Sequence, residues 1–142
     1  MPISYSFGPG YTFATPRIVP YDFAEVDTPF ATDSASFVDI TGSEAEITIT
    51  DTTAIEATAT VSWSAGASVV AGFRLVIDGA TDTGAEADSL PGNRRSSVPL
   101  LFAVEDLAPG TYVAKVQAKK ISGAGDITID HVDLSLKGMQ TE

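Results

Sequence analysis

The sequence predicts an all-β fold, an antiparallel jelly-roll sandwich of about eight strands with an extended N-terminal arm. Three observations predict it. Apolar and polar residues alternate with a period of two from Ala31 onward, turn residues recur every 8 to 14 residues, and no window has helical periodicity. Short strands at this spacing are typical of antiparallel sandwiches and jelly rolls.

The first half of the predicted sandwich contains four strands. Thr41-Gly42-Ser43 is predicted to be the turn between the first two. Trp63 shares its parity with the apolar residues of the third strand, so it is expected in the core and not as an exposed platform for a sugar. The predicted strands are residues 36–40, 45–49, 55–63 and 69–77.

The second half begins with residues 80–92, a polar run predicted to be a long loop or a weak edge strand. Three further strands follow. Pro99 lies inside the first of them, which predicts an edge position or a bulge, because proline cannot donate to a ladder. In the last strand the apolar parity changes at Asp130-His131, which predicts a β-bulge. These strands are residues 96–104, 111–119 and 127–136.

Composition excludes several functional classes. The 142 residues suffice for one domain. The formal charge of −11 and the absence of Lys and Arg between Ile18 and Phe73 disfavour nucleic acid and anionic membranes as partners. No apolar run is long enough for a membrane span, and the first residues do not resemble a secretory leader. With no cysteine and one histidine, thiolate and multi-histidine metal sites are excluded, and no cofactor is predicted.

Residues 1–30 differ in composition from residues 31–142. They hold 7 of the 12 aromatic residues and 5 of the 8 prolines. Proline removes backbone donors and pushes the preceding residue toward extended geometry, so this segment is predicted to be an irregular arm. The aromatic residues of the arm are Tyr5, Phe7, Tyr11, Phe13, Tyr21, Phe23 and Phe30.

These aromatic rings predict that the arm docks. Disordered segments are poor in aromatic residues. The free energy gained by burying the rings is similar to the entropy cost of ordering the arm, so the arm is expected to order where most rings find pockets. Those pockets are predicted on a partner or on a neighbouring copy. The alternative is that the arm folds back as an extra strand and cap on its own domain.

Residues 31–138 resemble a known domain. The order and spacing of four stretches are similar to those of the small jelly-roll domain found in virion structural proteins of tailed phages, such as fibres, head decorations and minor tail proteins. Its architecture is similar to the trimeric globular heads of the complement and tumour-necrosis-factor type. The chain lacks a collagen-like or coiled-coil shaft. The matching stretches are residues 31–39 (ATDSASFVD), 72–79 (GFRLVIDG), 107–119 (LAPGTYVAKVQAK) and 125–130 (GDITID).

The resemblance implies a non-enzymatic structural protein on the exterior of a phage virion, foremost a head decoration or a short head or neck fibre. It implies a homo-oligomer, a trimer, that contacts a capsid or other virion protein. The first alternative is a receptor- or carbohydrate-binding domain of a tail fibre. The second is an extracellular bacterial binding module or a degenerate accessory domain of a glycosidase.

Few residues are candidates for chemistry, and no catalytic residue and no metal site are predicted. His131 is expected to be a surface histidine at the bulge, because a Ser–His–Asp triad needs groups that converge at the floor of a cleft. Arg94 and Arg95 are predicted to contact a neighbouring subunit. Lys115, Lys119 and Lys120 form a second basic cluster that is expected to be ordinary surface. A weaker candidate is a calcium site in an acidic loop formed by Asp78, Asp82, Glu86 and Asp88.

Overall fold

The computed structural model describes residues 19–78, 80–82 and 84–139, together with the backbone of residues 5–6 and 12–13. It contains short strands β1 (Tyr5–Ser6) and β2 (Thr12–Phe13), which pair with each other. Within these ranges no helix is long and apolar enough to cross a membrane. The other strands are β3 (Tyr21–Val26), β4 (Phe30–Thr32), β5 (Val38–Ile49), β6 (Thr53–Ala65), β7 (Val70–Ile77), β8 (Ala80–Thr81), β9 (Ala85–Asp88), β10 (Ser96–Leu107), β11 (Gly110–Ser122) and β12 (Ile127–Met139).

Strands β3 to β12 form two antiparallel sheets. Sheet 1 has the order β10-β6-β12-β3, and β4 also pairs with β12. Sheet 2 has the order β5-β11-β7, and β8 and β9 both pair with β7. The pairs are nested along the chain, since β7 pairs with β9, β6 with β10, β5 with β11, and β3 with β12. This nested pairing is the strand connectivity of a jelly roll, so the predicted fold class is confirmed.

The core lies between the sheets and is built by period-two alternation. Strand β6 crosses the middle of sheet 1 and buries every second residue from Ile55 to Trp63. The Trp63 ring is fully buried and packs at 5.6 Å between ring centroids against Phe73 of sheet 2. The core position predicted for Trp63 is confirmed.

The predicted turn at residues 41–43 is wrong, because β5 continues through it. The backbone bends there within the strand, with Gly42 at a φ of 88°, and the pairing with β11 shifts register opposite this point. Ser43 is buried, and its hydroxyl donates to the carbonyl oxygen of Ile40 at 2.7 Å and accepts from the amide of Val116 at 3.2 Å. Residues that are typical of a turn thus form a bulge within a strand. The bulge is tolerated because the serine hydroxyl satisfies the backbone groups that it leaves unpaired.

Two local predictions for sheet 1 are confirmed. Strand β10, which contains Pro99, lies at the edge of the sheet. Strand β12 changes register against β6 between Ile129 and His131, so the apolar parity changes there as predicted. The polar run at residues 80–92 supplies the short outer strands β8 and β9 of sheet 2.

Part of the predicted arm forms strands of sheet 1. Strand β3 pairs with β12 from Tyr21 to Val26, and β4 pairs with β12 from Phe30 to Thr32. Val26 is buried and Phe30 packs against the core. For residues 21–32 the structure therefore has the alternative arrangement, an extra strand on the same domain. The division of the chain into residues 1–30 and 31–142 as separate units remains a prediction.

Candidate functional site

The outer face of sheet 1 carries three of the side chains that the sequence singled out, Tyr21, Phe23 and His131. Neighbouring strands place outward-pointing residues in three rows across the sheet. From the β3 edge to the β10 edge, the rows are Tyr21–Lys137–Glu56–Ala103, Phe23–Ser135–Thr58–Leu101 and Glu25–Asp133–Thr60–Pro99. The face is aromatic at one edge, hydroxyl-rich in the middle and aliphatic at the other edge.

Two exposed aromatic rings stand at the β3 edge. Tyr21 and Phe23 are 60% and 61% exposed, and their ring centroids lie 6.2 Å apart. They point outward because the alternate residues of β3, Ala24 and Val26, face the core. Val19, just before the strand, is also exposed. Large apolar side chains grouped on a surface are typical of contact sites.

A shallow groove of about 490 Å³ runs across the middle and far edge of the face. Its floor carries the hydroxyls of Thr58, Thr60 and Ser135. Asp133 lies on one side, and Leu101, which is 66% exposed, lies on the other. The groove thus offers several hydrogen-bonding groups beside an aliphatic wall.

The β12 bulge sets a cluster of ionisable groups beside the third row. His131 Nδ1 lies 2.7 Å from Asp27 Oδ1, and Nε2 lies 3.1 Å from Asp133 Oδ1 and 4.0 Å from Glu25 Oε1. Asp130, the preceding residue, instead accepts a hydrogen bond from Ser64 Oγ at 3.1 Å. We call His131, Asp27, Asp133 and Glu25 the His131 cluster.

The carboxylates of this cluster favour the charged imidazole. The hydrogen bond with Asp133 is the largest cause that raises the pKa of His131 above its usual value. Burial opposes this shift, and the hydrogen bond with Asp27 adds to it. The histidine is about one-third exposed, as expected for a surface residue at a bulge. Its hydrogen-bonding partners among the described residues are carboxylates and not serine hydroxyls, so the triad geometry is not formed there.

Ligand atoms that could hold a metal converge at Glu25, His131 and Asp133, within 4.8 Å of one another. Both imidazole nitrogens already face carboxylate oxygens, so protonation satisfies the cluster and we assign no metal to it. In the acidic loop, Asp82 instead accepts from the backbone amides of Leu75 and Gly84. Asp78 accepts from the amide of Val113 at 3.0 Å. Asp82 thus binds amides close to it along the chain, as short acidic side chains commonly do, and Asp78 joins the end of β7 to β11.

The other predicted site residues lie apart from this face or outside the described residues. Arg94 and Arg95 are exposed, and Arg95 Nε lies 3.5 Å from Asp130 Oδ2 of the same chain. The arm residues Phe7 and Tyr11 lie outside the described residues, and of Tyr5 and Phe13 only the backbone pairing is described. Arg94, Arg95 and the arm residues therefore stay predictions as contact sites.

Lys115 and Lys119 of the basic cluster lie on the outer face of sheet 2 and are engaged within the chain, and Lys120 Nζ donates to the carbonyl oxygen of Gly125 at 2.9 Å. Lys115 Nζ donates to Asp39 at 2.9 Å, and Gln117 donates to the same carboxylate at 2.7 Å. These two bonds lower the pKa of Asp39. Lys119 lies over the ring of Phe37, on which Arg74 also stacks at 4.1 Å. This network holds the segment before β5 against sheet 2.

Sequence reasoning missed Glu25 and Asp27 as partners of His131. The signal was present, because Tyr21, Phe23 and Glu25 recur with a period of two on the strand that precedes Pro29, and Asp27 follows at the same spacing. Reading residues 1–30 as an irregular arm hid this periodicity. Pairing of β3 with β12 is what brings these acids to the histidine.

Comparison with known proteins shows the fold. No protein-family model and no curated protein matches the chain. Chains from the structure of T=1 particles derived from infectious bursal virus align over 96% of this chain with a TM-score of 0.56 and 13% identity. The structure of the Gx strain of infectious bursal disease virus aligns over the same share with a TM-score of 0.55 and 13% identity.

The chain spans 36% of the length of these viral chains. A family 35 carbohydrate-binding module from Clostridium thermocellum aligns over 82% of this chain and 95% of its own length, with 14% identity and a TM-score of 0.42. The two viral structures, at 13% identity, show a shared fold and nothing further about this chain.

Proposed function

We propose that this chain is a non-enzymatic structural protein on the exterior of a tailed-phage virion, a head decoration or a short head or neck fibre. Residues 1–30 would attach it to a capsid or other virion protein. The single observation that carries the proposal is the exposed pair Tyr21–Phe23 at the β3 edge. The viral particles among the structural neighbours agree with it at the level of fold.

The pair is suited to contact a partner. Both rings stand on an edge strand of sheet 1 and continue the aromatic composition of residues 1–20. Covering rings that are about 60% exposed gains about 1–2 kcal/mol for each ring. In this mechanism the rings of the arm fill apolar pockets of the underlying shell or of a neighbouring copy within a trimer. The net charge of −11 keeps the outward-facing domains mutually repulsive.

The absence of catalysis is part of the proposal. The one imidazole of the chain is held between carboxylates on the outer face of sheet 1, and a hydrolytic mechanism needs it beside a nucleophile. The acidic loop uses carboxylates to hold backbone amides. Both features support a structural role.

Replacing Tyr21 and Phe23 together with serine is expected to weaken binding to virions about thirtyfold or more, because about 2–4 kcal/mol of apolar burial is lost. Binding is measured by co-sedimentation of labelled protein with purified virions from which the native copies have been removed. Leu101→Ser is the matched control, since it removes an equally exposed apolar side chain at the opposite edge. The proposal is contradicted if the double variant binds as the unchanged protein does, or if the control loses as much.

The groove at Thr58, Thr60 and Ser135 favours a second candidate, a carbohydrate-binding domain of a tail fibre. Hydroxyls, a carboxylate and an aliphatic wall in one groove of about 490 Å³ suit a sugar ring. On this reading Thr60→Val and Asp133→Asn each abolish binding to host-surface polysaccharide on a glycan array, while the Tyr21 and Phe23 variant keeps virion binding. If neither the unchanged protein nor its variants bind any glycan on the array, this candidate function is wrong.

A further inference from the structure

The β12 bulge lies where sheet 1 changes its edge partner. Strand β3 pairs with β12 up to Val26 opposite Val132, and β4 begins with Phe30 opposite Ile129. Residues 27–29 link the two and have no ladder partner on β12. His131 stands opposite this gap, so its side chain takes the place of the missing backbone pairing.

The imidazole joins the link to β12. Its Nδ1 contacts Asp27 on the link, at 2.7 Å. Its Nε2 contacts Asp133 two residues further along β12, at 3.1 Å, with Glu25 of β3 at 4.0 Å. A neutral imidazole has one N–H to donate, whereas the charged form has two. Both contacts are therefore hydrogen bonds only when the ring is protonated.

No other cation lies within ion-pair distance of these carboxylates among the described residues. The acids that face the ring are Glu25 and Asp27 from β3 and its link, and Asp133 from β12. Asp130 is turned toward Ser64 and Arg95. From β6 the facing residue is Ser62, which is uncharged. Loss of the imidazole charge therefore leaves three carboxylates together without a counter-ion.

We infer that His131 is a proton-operated clasp that holds the end of β3 and the 27–29 link on strand β12 while its imidazole is charged and loosens them when it is neutral. The clasp is a set of contacts within this chain, and the inference does not depend on the proposed function. Since β3 also carries Tyr21 and Phe23, the clasp would set how firmly that pair is held. This consequence alone rests on the proposed function.

The direction of the pH dependence follows from the raised pKa of His131, whose largest cause is the contact with Asp133, with Asp27 adding to it. A group whose pKa is higher in the folded state stabilises that state fully below the pKa of the unfolded chain. The stabilisation is lost as the pH rises through the folded pKa. The clasp is therefore closed below the ordinary pKa of histidine and opens as the pH rises through the raised pKa of His131.

The chain has one histidine, so its imidazole can be titrated by NMR without assignment ambiguity. We expect the titration midpoint to lie above that of a free histidine and to move to lower pH in Asp133→Asn and in Asp27→Asn. Glu86→Gln is the matched control, because it removes the same charge from the exposed face of β9. A midpoint that does not move in either asparagine variant overturns the inference.

Hydrogen exchange then tests the clasp itself in the isolated full chain. Protection of the amides in residues 24–32, corrected for the intrinsic rate, is expected to fall about two- to fivefold from pH 6 to pH 8.5, the effect of one partly exposed ion pair. Protection in residues 73–76 of β7, which lies in the other sheet and does not pair with β3 or β12, should not change, and His131→Gln should abolish the fall. The inference is overturned if the glutamine variant keeps the pH dependence. It is also overturned if EDTA removes the protection at pH 6, since a metal ion would then hold the cluster.

Discussion

Trp63→Ala is expected to lower the free energy of unfolding by about 3–5 kcal/mol. The indole is fully buried at the end of β6 and packs against Phe73 across the two sheets. Alanine leaves a cavity between the sheets that the surrounding strands can only partly close, because each is held in a backbone ladder. The loss is a large share of the stability of a domain of this size.

The measurement is denaturant unfolding followed by circular dichroism. Trp63→Phe is the matched control, since it keeps a ring in the same place. It also removes Nε1, which is buried without a hydrogen-bond partner among the described residues. We expect the phenylalanine variant to lose less than half as much. An alanine variant within about 1 kcal/mol of the unchanged protein would show that the indole does not fill the core.

A chain that begins at residue 31 is expected to be strongly destabilised, by on the order of 4 kcal/mol or more. It loses β3 and the buried side chain of Val26, together with Phe30, which packs against the core. Burial of each of these side chains contributes about 1.5–3 kcal/mol. The edge of β12 would also become unpaired and open to association with other chains.

The matched control is a chain that begins at residue 19, just before β3. This chain keeps both β3 and β4, so its melting temperature is expected to stay close to that of the full chain. Thermal melting and size-exclusion chromatography of the two truncated chains make the comparison. Equal melting temperatures for both would mean that β3 does not contribute to the sandwich.

Most of the strands of the sandwich could be predicted because their alternation is local. One face of β6 meets the core and the other meets solvent. Apolar and polar residues therefore alternate in the sequence from Ile55 to Trp63. The bulge at His131 was also predictable, since a change of parity is a change of face. The turn at residues 41–43 was predicted wrongly because a glycine bulge inside a strand and a turn between strands have the same composition.

The His131 cluster could not be predicted, although the histidine itself was singled out. Its partners Asp27 and Glu25 lie more than 100 residues away along the chain. They reach the imidazole because β3 pairs in register with β12. Nothing local to either segment specifies that register.

By itself, the sequence determined the all-β class, the core positions along the longer strands such as β6, the choice of an edge or a bulge for Pro99, and the acidic charge. These properties depend on the polarity and backbone preferences of neighbouring residues. Only the tertiary structure decided that residues 21–32 join sheet 1 and that the outer face of this sheet collects the aromatic pair, the groove and the His131 cluster. Such placements depend on pairing between distant strands, which a period of two permits in many registers and which packing of the whole sandwich selects.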